Sequence, residues 1–390
     1  MKRIRVQPRA NFEQRAQELG FDFHQVDGAP YWDESAYYGF TLPQIERHIE
    51  DPTTELAALC LELVARVVTD ATLLARLRIP EHAWDLIAHS WRRGDPTLYG
   101  RFDFAYDGTA PARLLEYNAD TPTALFEASV FQWVWLEDMA ASHRLPEGAD
   151  QFNSIHESLI ARFQELRNAG IAGERLHLAC MMTSTEDRGL VSYLADCATQ
   201  AGLACSVLSI EDIGTRDQGP FLDMAGDPID RLFKLYPWEW LLAEPFARAP
   251  AMFETRFLEP PWKAILSNKG ILPLLWELAT GHPNLLPAFF EDDPRHIETG
   301  PRFARKPLYS REGANILLVD GTDVLDRDAG PYGSEGYIRQ ALADIPAFDG
   351  HYPVIGSWVV GAKACGIGIR EDTSRITKNT SRFVPHAILP

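Results

Sequence analysis

Lysine is scarce in this chain, and the few lysines are unevenly placed. There are seven lysines against thirty arginines, and no lysine lies between Lys2 and Lys234. Arginine therefore supplies the routine surface charge. A lysine that is retained is more often needed as a compact point charge, as in phosphate binding. This reasoning selects Lys269 and Lys306, which lie in motif-like sequence contexts.

Several classes of protein are excluded because their sequence features are missing. No apolar run reaches the ~18 residues of a transmembrane helix, so no membrane partner is expected. The basic segment Met1–Arg5 is not followed by the apolar run of a signal peptide, so a cytoplasmic location is expected. The five cysteines are scattered without a CxxC pair, which argues against disulfides or a zinc site. The motifs HExxH, GxSxG, GxxxxGK[ST] and GxGxxG are also absent.

The chain is acidic, with a formal net charge of -18, which argues against nucleic acid as a partner. The plainer interpretation of this charge is solubility. The alternative is an acidic cleft that attracts a cationic substrate such as a polyamine. A length of 390 residues allows two or three packed units.

Apolar spacing predicts where helices and strands lie. Residues 1–40 look irregular, whereas 42–70 have helical periodicity. Ser154–Glu157 is a capping-box signature that opens a helix. Strand, helix and strand then alternate, which predicts a small parallel α/β unit at about 150–235. The chain becomes rich in β-structure from 300 onward, with predicted hairpins at 314–325 and 352–370.

A predicted hairpin brings together residues suited to bind a metal. Residues two apart in a strand share one face, so Arg101 and Asp103 point one way, and so do Glu116 and Asn118. If the strands pair through the turn at Asp107, two carboxylates and an amide oxygen converge, which suits Mg²⁺ that bridges phosphates. Arg101 could then stabilise charge in phosphoryl transfer. The alternative, a solvent-facing hairpin with a surface ion pair, remains open.

Three further segments are weaker signals. Lys306 ends a strand and precedes a loop with serine, glycine and alanine, a way to cover phosphates with backbone N–H groups. Lys269 follows an apolar stretch near a helix start, and Arg370 ends an apolar strand. On its own, the Lys306 loop is better explained as an ordinary hairpin loop. Lys269 taken alone would be a surface lysine, and the alternative for Arg370 is a paired surface arginine.

Taken together, these motifs resemble the glutathionylspermidine synthase family, in particular its short members that lack the amidase domain. The resemblance extends over six segments, which are Tyr31–Tyr38, Arg101–Asp103, Glu116–Glu127, Trp262–Leu275, Lys306–Ile316 and Gly356–Arg370. It implies an α+β ATP-grasp fold with an associated small parallel α/β unit of the pre-ATP-grasp type. It also implies that ATP phosphorylates a carboxylate and that an amine attacks the acyl phosphate, as in the joining of glutathione to spermidine.

The resemblance also implies roles for individual residues. The implied metal ligands for Mg²⁺ are Asp103, Glu116 and Asn118. The implied catalytic arginines are Arg101, Arg311, on a mobile loop, and Arg370. The implied ATP-binding residues are Lys269, Lys306, Gly313, Asn315 and Gln340, and the implied substrate residues are Thr121, Thr123 and Glu127.

The implied organisation has three parts. Residues 1–150 would hold an N-terminal helical segment and the metal-binding hairpin, 151–235 the small substrate-side α/β unit, and 236–390 the nucleotide-binding part. The expected function is an ATP- and Mg²⁺-dependent ligase that joins a carboxylate to an amine, with small-molecule or peptide substrates. No product hydrolysis is expected, because the amidase domain is absent.

Two positions depart from the family pattern. Leu235 stands where full-length enzymes carry a threonine, and Val354 stands where they carry a glutamine. Both changes are expected around the substrate and nucleotide pockets, so the identity of the acid and the amine is left open. They also leave room for an alternative, a catalytically altered ATP-grasp protein that binds nucleotide in a regulatory role.

Overall fold

The computed structural model describes residues 1–26, 28–173, 175–216 and 218–390. The α-helices are α1 Phe12–Glu18, α2 Leu42–Ile45, α3 Asp51–Val67, α4 Ala71–Arg76, α5 Trp84–Arg92, α6 Gln132–Ala141, α7 Ile155–Asn168, α8 Thr185–Gln200, α9 Trp238–Leu241, α10 Ala251–Glu254 and α11 Ile271–Leu278. The strands are β1 Lys2–Arg5, β2 Gln25–Val26, β3 Ala29–Pro30, β4 Ala36–Phe40, β5 Tyr99–Ala105, β6 Arg113–Asn118, β7 Arg175–Cys180, β8 Ala204–Ser209, β9 Gly214–Thr215, β10 Phe221–Leu222, β11 Arg231–Leu235, β12 Arg256–Leu258, β13 Ala288–Phe290, β14 Arg302–Pro307, β15 Leu317–Asp320, β16 Asp323–Arg327, β17 Tyr337–Ala341, β18 Tyr352–Val360, β19 Lys363–Asp372, β20 Arg382–Val384 and β21 His386–Ile388. No helix among these residues is long and apolar enough to cross a membrane.

A five-stranded antiparallel sheet carries the predicted hairpin. Its strand order is β20-β19-β18-β5-β6, so strands from both ends of the chain share it. Phe102 and Phe104 are fully buried on one face of β5, and the alternation of side chains turns Arg101 and Asp103 to the other face. The predicted hairpins at 99–118 and 352–370 are therefore confirmed.

The predicted helical segment at 42–70 is also confirmed. It consists of α2, a π-helical segment at Glu46–Glu50 and α3, and its buried face packs against β18 and β19. The capping residue is Thr41, whose backbone N–H donates to the side chain of Gln44 at 3.0 Å. This helix closes the core beneath the sheet, so the opposite, charged face is left for the cleft.

A second antiparallel sheet covers that charged face. Its strand order is β13-β17-β14-β15-β16. The strand β14 includes Lys306, which is paired with Ile338 of β17. The hairpin predicted at 314–325 is present as β15 and β16, with the turn at Asp320 and Gly321.

The predicted parallel α/β unit is present, and its sheet is larger than expected. Its strand order is β12-β11-β7-β8, and every pairing is parallel. The helix α8 begins after Ser184, whose hydroxyl accepts from the backbone N–H of Asp187 at 3.1 Å. The last strand, β12, lies beyond the expected limit at residue 235, and α9 and α10 lie between it and β11.

Two local predictions are wrong. Residues 1–40 are not irregular, because β1 and β4 form a sheet with β21 from the far end of the chain. The capping box at Ser154 does not form, although the helix starts there as predicted. The Ser154 hydroxyl donates instead to the carbonyl of Cys365 at 3.1 Å. This tertiary hydrogen bond to β19 is present, whereas the local one, in which the hydroxyl would accept from the backbone N–H of Glu157, is not.

Candidate active site

The hairpin of β5 and β6 places four charged or polar side chains together. Across the two strands, Arg101 lies opposite Asn118, and Asp103 lies opposite Glu116. Arg101 donates two hydrogen bonds to Asp103, at 2.7 and 2.9 Å, and the amide of Asn118 donates to the same carboxylate at 2.9 Å. The convergence predicted from the spacing is therefore observed.

The two predicted lysines approach the hairpin from different elements. Lys269 precedes α11, and its ammonium lies 2.8 Å from Glu116 and donates to the carbonyl of Ser310 at 2.9 Å. Lys306 on β14 donates to the carbonyl of Leu115 at 2.8 Å and to Gln340 at 2.7 Å. Gln340 is buried and fixes the position of this ammonium.

Burial and charge oppose each other in this cluster. Burial raises the pKa of Asp103 above its ordinary value, although Arg101 opposes the rise. Burial would also raise the pKa of Glu116, but Lys269 and Lys306 outweigh it and lower the pKa to about 2. Burial lowers the pKa of Lys306 to about 8, against the opposing charge of Glu116. The cleft thus contains a carboxylate that stays ionised and a lysine that titrates near neutrality.

Arg311 lies on the loop between β14 and β15 and reaches back to the hairpin. It donates to the hydroxyl of Thr121 at 3.0 Å and pairs with Glu239 of α9 at 2.8 Å. Gly313 has a left-handed backbone with φ of 75°, and an added Cβ would lie 2.5 Å from Ile376. Glycine is therefore required for this loop to approach its neighbours.

Asn315 shapes the same loop. It has φ of 59°, and its side-chain oxygen accepts from the backbone N–H of Tyr332 at 2.8 Å. The side chain of Asn315 thus makes a hydrogen bond to a neighbouring backbone group. Gly313 lines the cleft, whereas Asn315 does not. A nucleotide-binding role for Asn315 stays a prediction.

Arg370 and Glu127 lie at one end of the site. Arg370 donates to the backbone carbonyls of Lys378 and Asn379, at 2.6 and 2.9 Å, and lies over the ring of Tyr31. The hydroxyl of Tyr31 donates to Glu127 at 2.6 Å. Burial and the nearby charge of Glu186 raise the pKa of Glu127 to about 7. Glu127 is buried behind the surface of the cleft and does not line it, whereas Arg370 does.

A cavity of about 200 Å³ connects these residues. Of the predicted site residues, it is lined by Arg101, Asp103, Glu116, Asn118, Thr121, Thr123, Lys306, Arg311, Gly313, Gln340 and Arg370. Lys269 lines a smaller adjoining cavity together with Glu116, Asn118 and Arg311.

Sequence reasoning missed much of the wall of this cleft. One side is apolar and is formed by Ala304, Ile316, Leu318, Leu342, Ile345 and Ile376. It also missed Glu239, which holds Arg311, because no motif marks a residue that acts through another. Val354 lines the cleft as expected. Leu235 does not line the cleft. It is buried in the core of the parallel α/β unit, where it lies opposite Cys180 of β7.

The donor set suits a hard divalent cation better than a transition metal. In the part of the chain that the structure describes, no three His, Cys, Asp or Glu side chains form a metal-binding group. The hairpin offers two carboxylates and one amide. Mg²⁺ is commonly held by one or two carboxylates together with phosphates and water, so these residues fit it.

Comparison with known proteins identifies the family. A family model described as glutathionylspermidine synthase preATP-grasp matches residues 3–389. The chain belongs to the glutathionylspermidine synthase family. A Haemophilus influenzae protein, named provisionally as an acid–amine ligase, is 43% identical over the whole of both chains.

Other family members are longer than this chain. Trypanothione synthetase of Crithidia fasciculata is 29% identical, and the match covers 85% of this chain and 53% of that protein. The bifunctional glutathionylspermidine synthetase/amidase of Escherichia coli is 27% identical, with coverage of 90% and 59%. The chain spans little more than half the length of these two relatives. The family model and the Haemophilus influenzae relative identify the chain as a carbon–nitrogen ligase of the glutathionylspermidine synthase type.

The fold has a solved counterpart. A glutathione synthetase-like effector from Globodera pallida superposes with a TM-score of 0.57 at 10% sequence identity, covering 97% of this chain and 96% of that one. At this identity the likeness concerns the mixed α/β fold alone.

Proposed function

We propose that this ligase joins the carboxylate of a glutathione-like peptide to a polyamine-like amine, with ATP and Mg²⁺, through an acyl phosphate on an ATP-grasp fold. The observation that carries the proposal is one cluster: two carboxylates and an amide on a hairpin, faced by two lysines and an arginine. Phosphoryl transfer requires positioned cations and a metal site more than it requires covalent catalysis. This cluster supplies those parts and no nucleophile.

The nucleotide would lie between the two antiparallel sheets. Lys269 and Lys306 would contact its phosphates, and Gln340 would keep Lys306 in place. The apolar wall of the cleft, which includes Ile316 and Leu318, offers a surface for the base. Asp103, Glu116 and Asn118 would hold Mg²⁺, which would supply positive charge to neutralise the phosphates.

The acid would lie beside Thr121 and Thr123, within reach of the arginines. A carboxylate oxygen attacks the terminal phosphorus of ATP and the bond to ADP breaks, which leaves an acyl phosphate. Arg101 and Arg311 are positioned to stabilise charge on the transferred group. The amine nitrogen then attacks the acyl carbon, and the carbon–oxygen bond to phosphate breaks.

A nearby acidic group would receive the amine and its proton. Burial and Glu186 raise the pKa of Asp187, which is half-buried in the first turn of α8, to about 6. A carboxylate with this value can attract an ammonium and accept its proton near neutral pH. Glu127 has a pKa of about 7 but is buried behind the cleft, so its role in substrate binding stays a prediction. The acidity of the chain, whose net charge is -18, fits a cationic substrate.

The test is to incubate the purified protein with ATP, Mg²⁺, glutathione and spermidine. ADP release would be followed together with mass spectrometry of the small molecules. We expect an amide adduct, and we expect Asp103→Ala to abolish both signals while circular dichroism remains unchanged. The control is Asp107→Ala, since Asp107 lies in the exposed turn of the same hairpin. Folded protein that releases no ADP with any acid and amine pair would refute the proposal.

The alternative of a purely nucleotide-binding regulatory protein has little structural support. Leu235 departs from the family pattern, but it is buried in the core and does not line the cleft. The departure at Val354 changes one apolar position in the cleft wall and removes no charged group. It is therefore a place to look for altered substrate specificity.

A further inference from the structure

A second cavity lies in the parallel α/β unit, apart from the cleft. It measures about 200 Å³ and shares none of its lining residues with the cleft. Nine of its thirteen lining residues are apolar, among them Ile213, Leu232 and Phe257. An apolar cavity of ~150 Å³ is large enough to take up benzene. This cavity therefore has room for a ring or a chain of about six to eight carbons.

The cavity lies where parallel sheets usually bind ligands. It is lined by Met181, Ile210 and Tyr236, the residues that directly follow the ends of β7, β8 and β11. From β7 the chain adds β8 on one side, and β11 joins on the other side. The strand order thus reverses beside β7. Ligands of open α/β sheets bind outside the carboxyl ends of the strands at such a point.

Two carboxylates define the charge at the mouth. Glu244 accepts a hydrogen bond from the hydroxyl of Tyr236, and Glu211 also lines the cavity. The pKa of Tyr236 is raised to about 12 by burial, by the hydrogen bond to Glu244 and its charge, and by the charge of Glu211. Both carboxylates therefore act on the same hydroxyl. Among the residues that the structure describes, neither carboxylate has a lysine, arginine or histidine within salt-bridge distance.

Among the described residues that line this cavity, the one cation is already neutralised. Lys234 is fully buried, and its ammonium donates to Asp120 at 2.8 Å and to the carbonyl of Tyr236 at 2.8 Å. It therefore cannot neutralise the charge of the mouth. An apolar interior with uncompensated negative charge at its entrance matches a ligand with an apolar body and one positive end.

We propose that this cavity binds a small organic cation, a primary ammonium on an apolar body of about six to eight carbons, with the ammonium against Glu244 and Glu211. The body would lie among Leu232, Ile213 and Phe257. This site is separate from the one proposed for the amine substrate and does not depend on the proposed reaction.

The test uses 2-phenylethylamine as the probe and 2-phenylethanol as its neutral counterpart, by isothermal titration calorimetry at pH 7. We expect saturable one-to-one binding of the amine, and binding of the alcohol at least about tenfold weaker. Glu244→Gln should weaken the amine about tenfold and leave ATP turnover unchanged. Glu254→Gln, an exposed acid at the end of α10 that does not line the cavity, is the matched control.

Two further variants assign the site. Ile213→Trp should fill the cavity and abolish amine binding, even if Glu244→Gln proves unstable. Glu116→Gln changes a carboxylate that lines the cleft and should leave the amine affinity unchanged. Equal binding of amine and alcohol would overturn the proposal. So would binding that is lost in Glu116→Gln and retained in Glu244→Gln, because the amine would then occupy the catalytic cleft.

Discussion

The ion pair of Lys234 and Asp120 supports, from inside the protein, the helix that holds Arg311, and its contribution to stability can be measured. The side chains are 0% and 1% exposed, and the charged atoms are 2.8 Å apart. The second oxygen of Asp120 accepts from the backbone N–H of Trp238 at 2.7 Å, at the start of α9. The next residue is Glu239, which holds Arg311. The pair therefore anchors the helix that positions a proposed catalytic arginine.

Asp120→Asn removes the negative charge but keeps one hydrogen bond, because the amide oxygen can still accept from the backbone N–H of Trp238. It leaves the Lys234 ammonium buried without a counter-charge, and removing one partner of a buried pair costs about 3–5 kcal/mol. Lys234→Met should cost a similar amount. In the double variant both charges are gone, so its loss should be several kcal/mol smaller than the sum of the single losses.

The assay is urea denaturation followed by tryptophan fluorescence and far-ultraviolet circular dichroism. The matched control is Asp227→Asn, which breaks the exposed pair with Arg175, where the side chains are 58% and 53% exposed. Breaking that pair should cost less than about 1 kcal/mol. The reasoning is refuted if Asp120→Asn costs no more than the control, or if the two single losses simply add.

Three other outcomes are expected. The ammonium of Lys306 has a pKa of about 8, so it is mostly charged at pH 7 and mostly neutral at pH 9; the affinity for a non-hydrolysable ATP analogue should fall about tenfold across this interval, and pH-independent affinity would contradict this. Glu239→Gln should free Arg311, so that trypsin cleaves after it about fivefold faster, whereas Glu254→Gln, a change at an exposed acid outside this loop, should not alter the rate. Gly313→Ala should raise the KM for ATP without unfolding the protein, because its Cβ would lie 2.7 Å from the carbonyl of Thr377; an unchanged KM would show that the loop can move aside.

The hairpin could be predicted because its signals are local. The turn at Asp107 indicates that the strands pair, and the alternation on each strand sets which residues share a face. The exact register was not predictable from the turn, because a bulge lies between the turn and the site: Phe104 faces Leu114, whereas Asp103 faces Glu116 and Arg101 faces Asn118. The extra residue, Leu115, shifts the register by one and brings Asp103 opposite Glu116.

The N-terminal sheet could not be predicted, because its partners are distant in sequence. Ile388 lies beside Phe40, and Arg3 donates to Glu371 at 2.7 Å. A local pattern in residues 1–40 contains no information about a strand near the end of the chain. The same reason explains Ser154, which found an acceptor 211 residues away.

The scarcity of lysine was a sound signal with more than one meaning. It selected Lys269 and Lys306, which both reach the cleft. It applies equally to Lys234 and Lys263, which are almost completely buried. Lys263 lies 2.7 Å from Glu259 and donates to the carbonyl of Tyr99 at 2.6 Å. It also applies to Lys2 and Lys363, which are exposed. Scarcity alone therefore does not identify a function, and only the structure separates a surface lysine, an internal anchor and a cleft cation.

The pairing of charges in the cleft has a consequence for the proposed reaction. Arg101 pairs with Asp103, and Lys269 pairs with Glu116, at distances of 2.7 and 2.8 Å. An unpaired buried charge costs several kcal/mol, so these pairs keep the cleft stable without ligands. A metal alone would take the carboxylates and leave two cations unpaired, and a nucleotide alone would take the cations and leave the carboxylates facing phosphate. When both bind, the metal replaces the cations as partner of the carboxylates, and the phosphates replace the carboxylates as partners of the cations. Nucleotide and metal should therefore bind as a coupled pair.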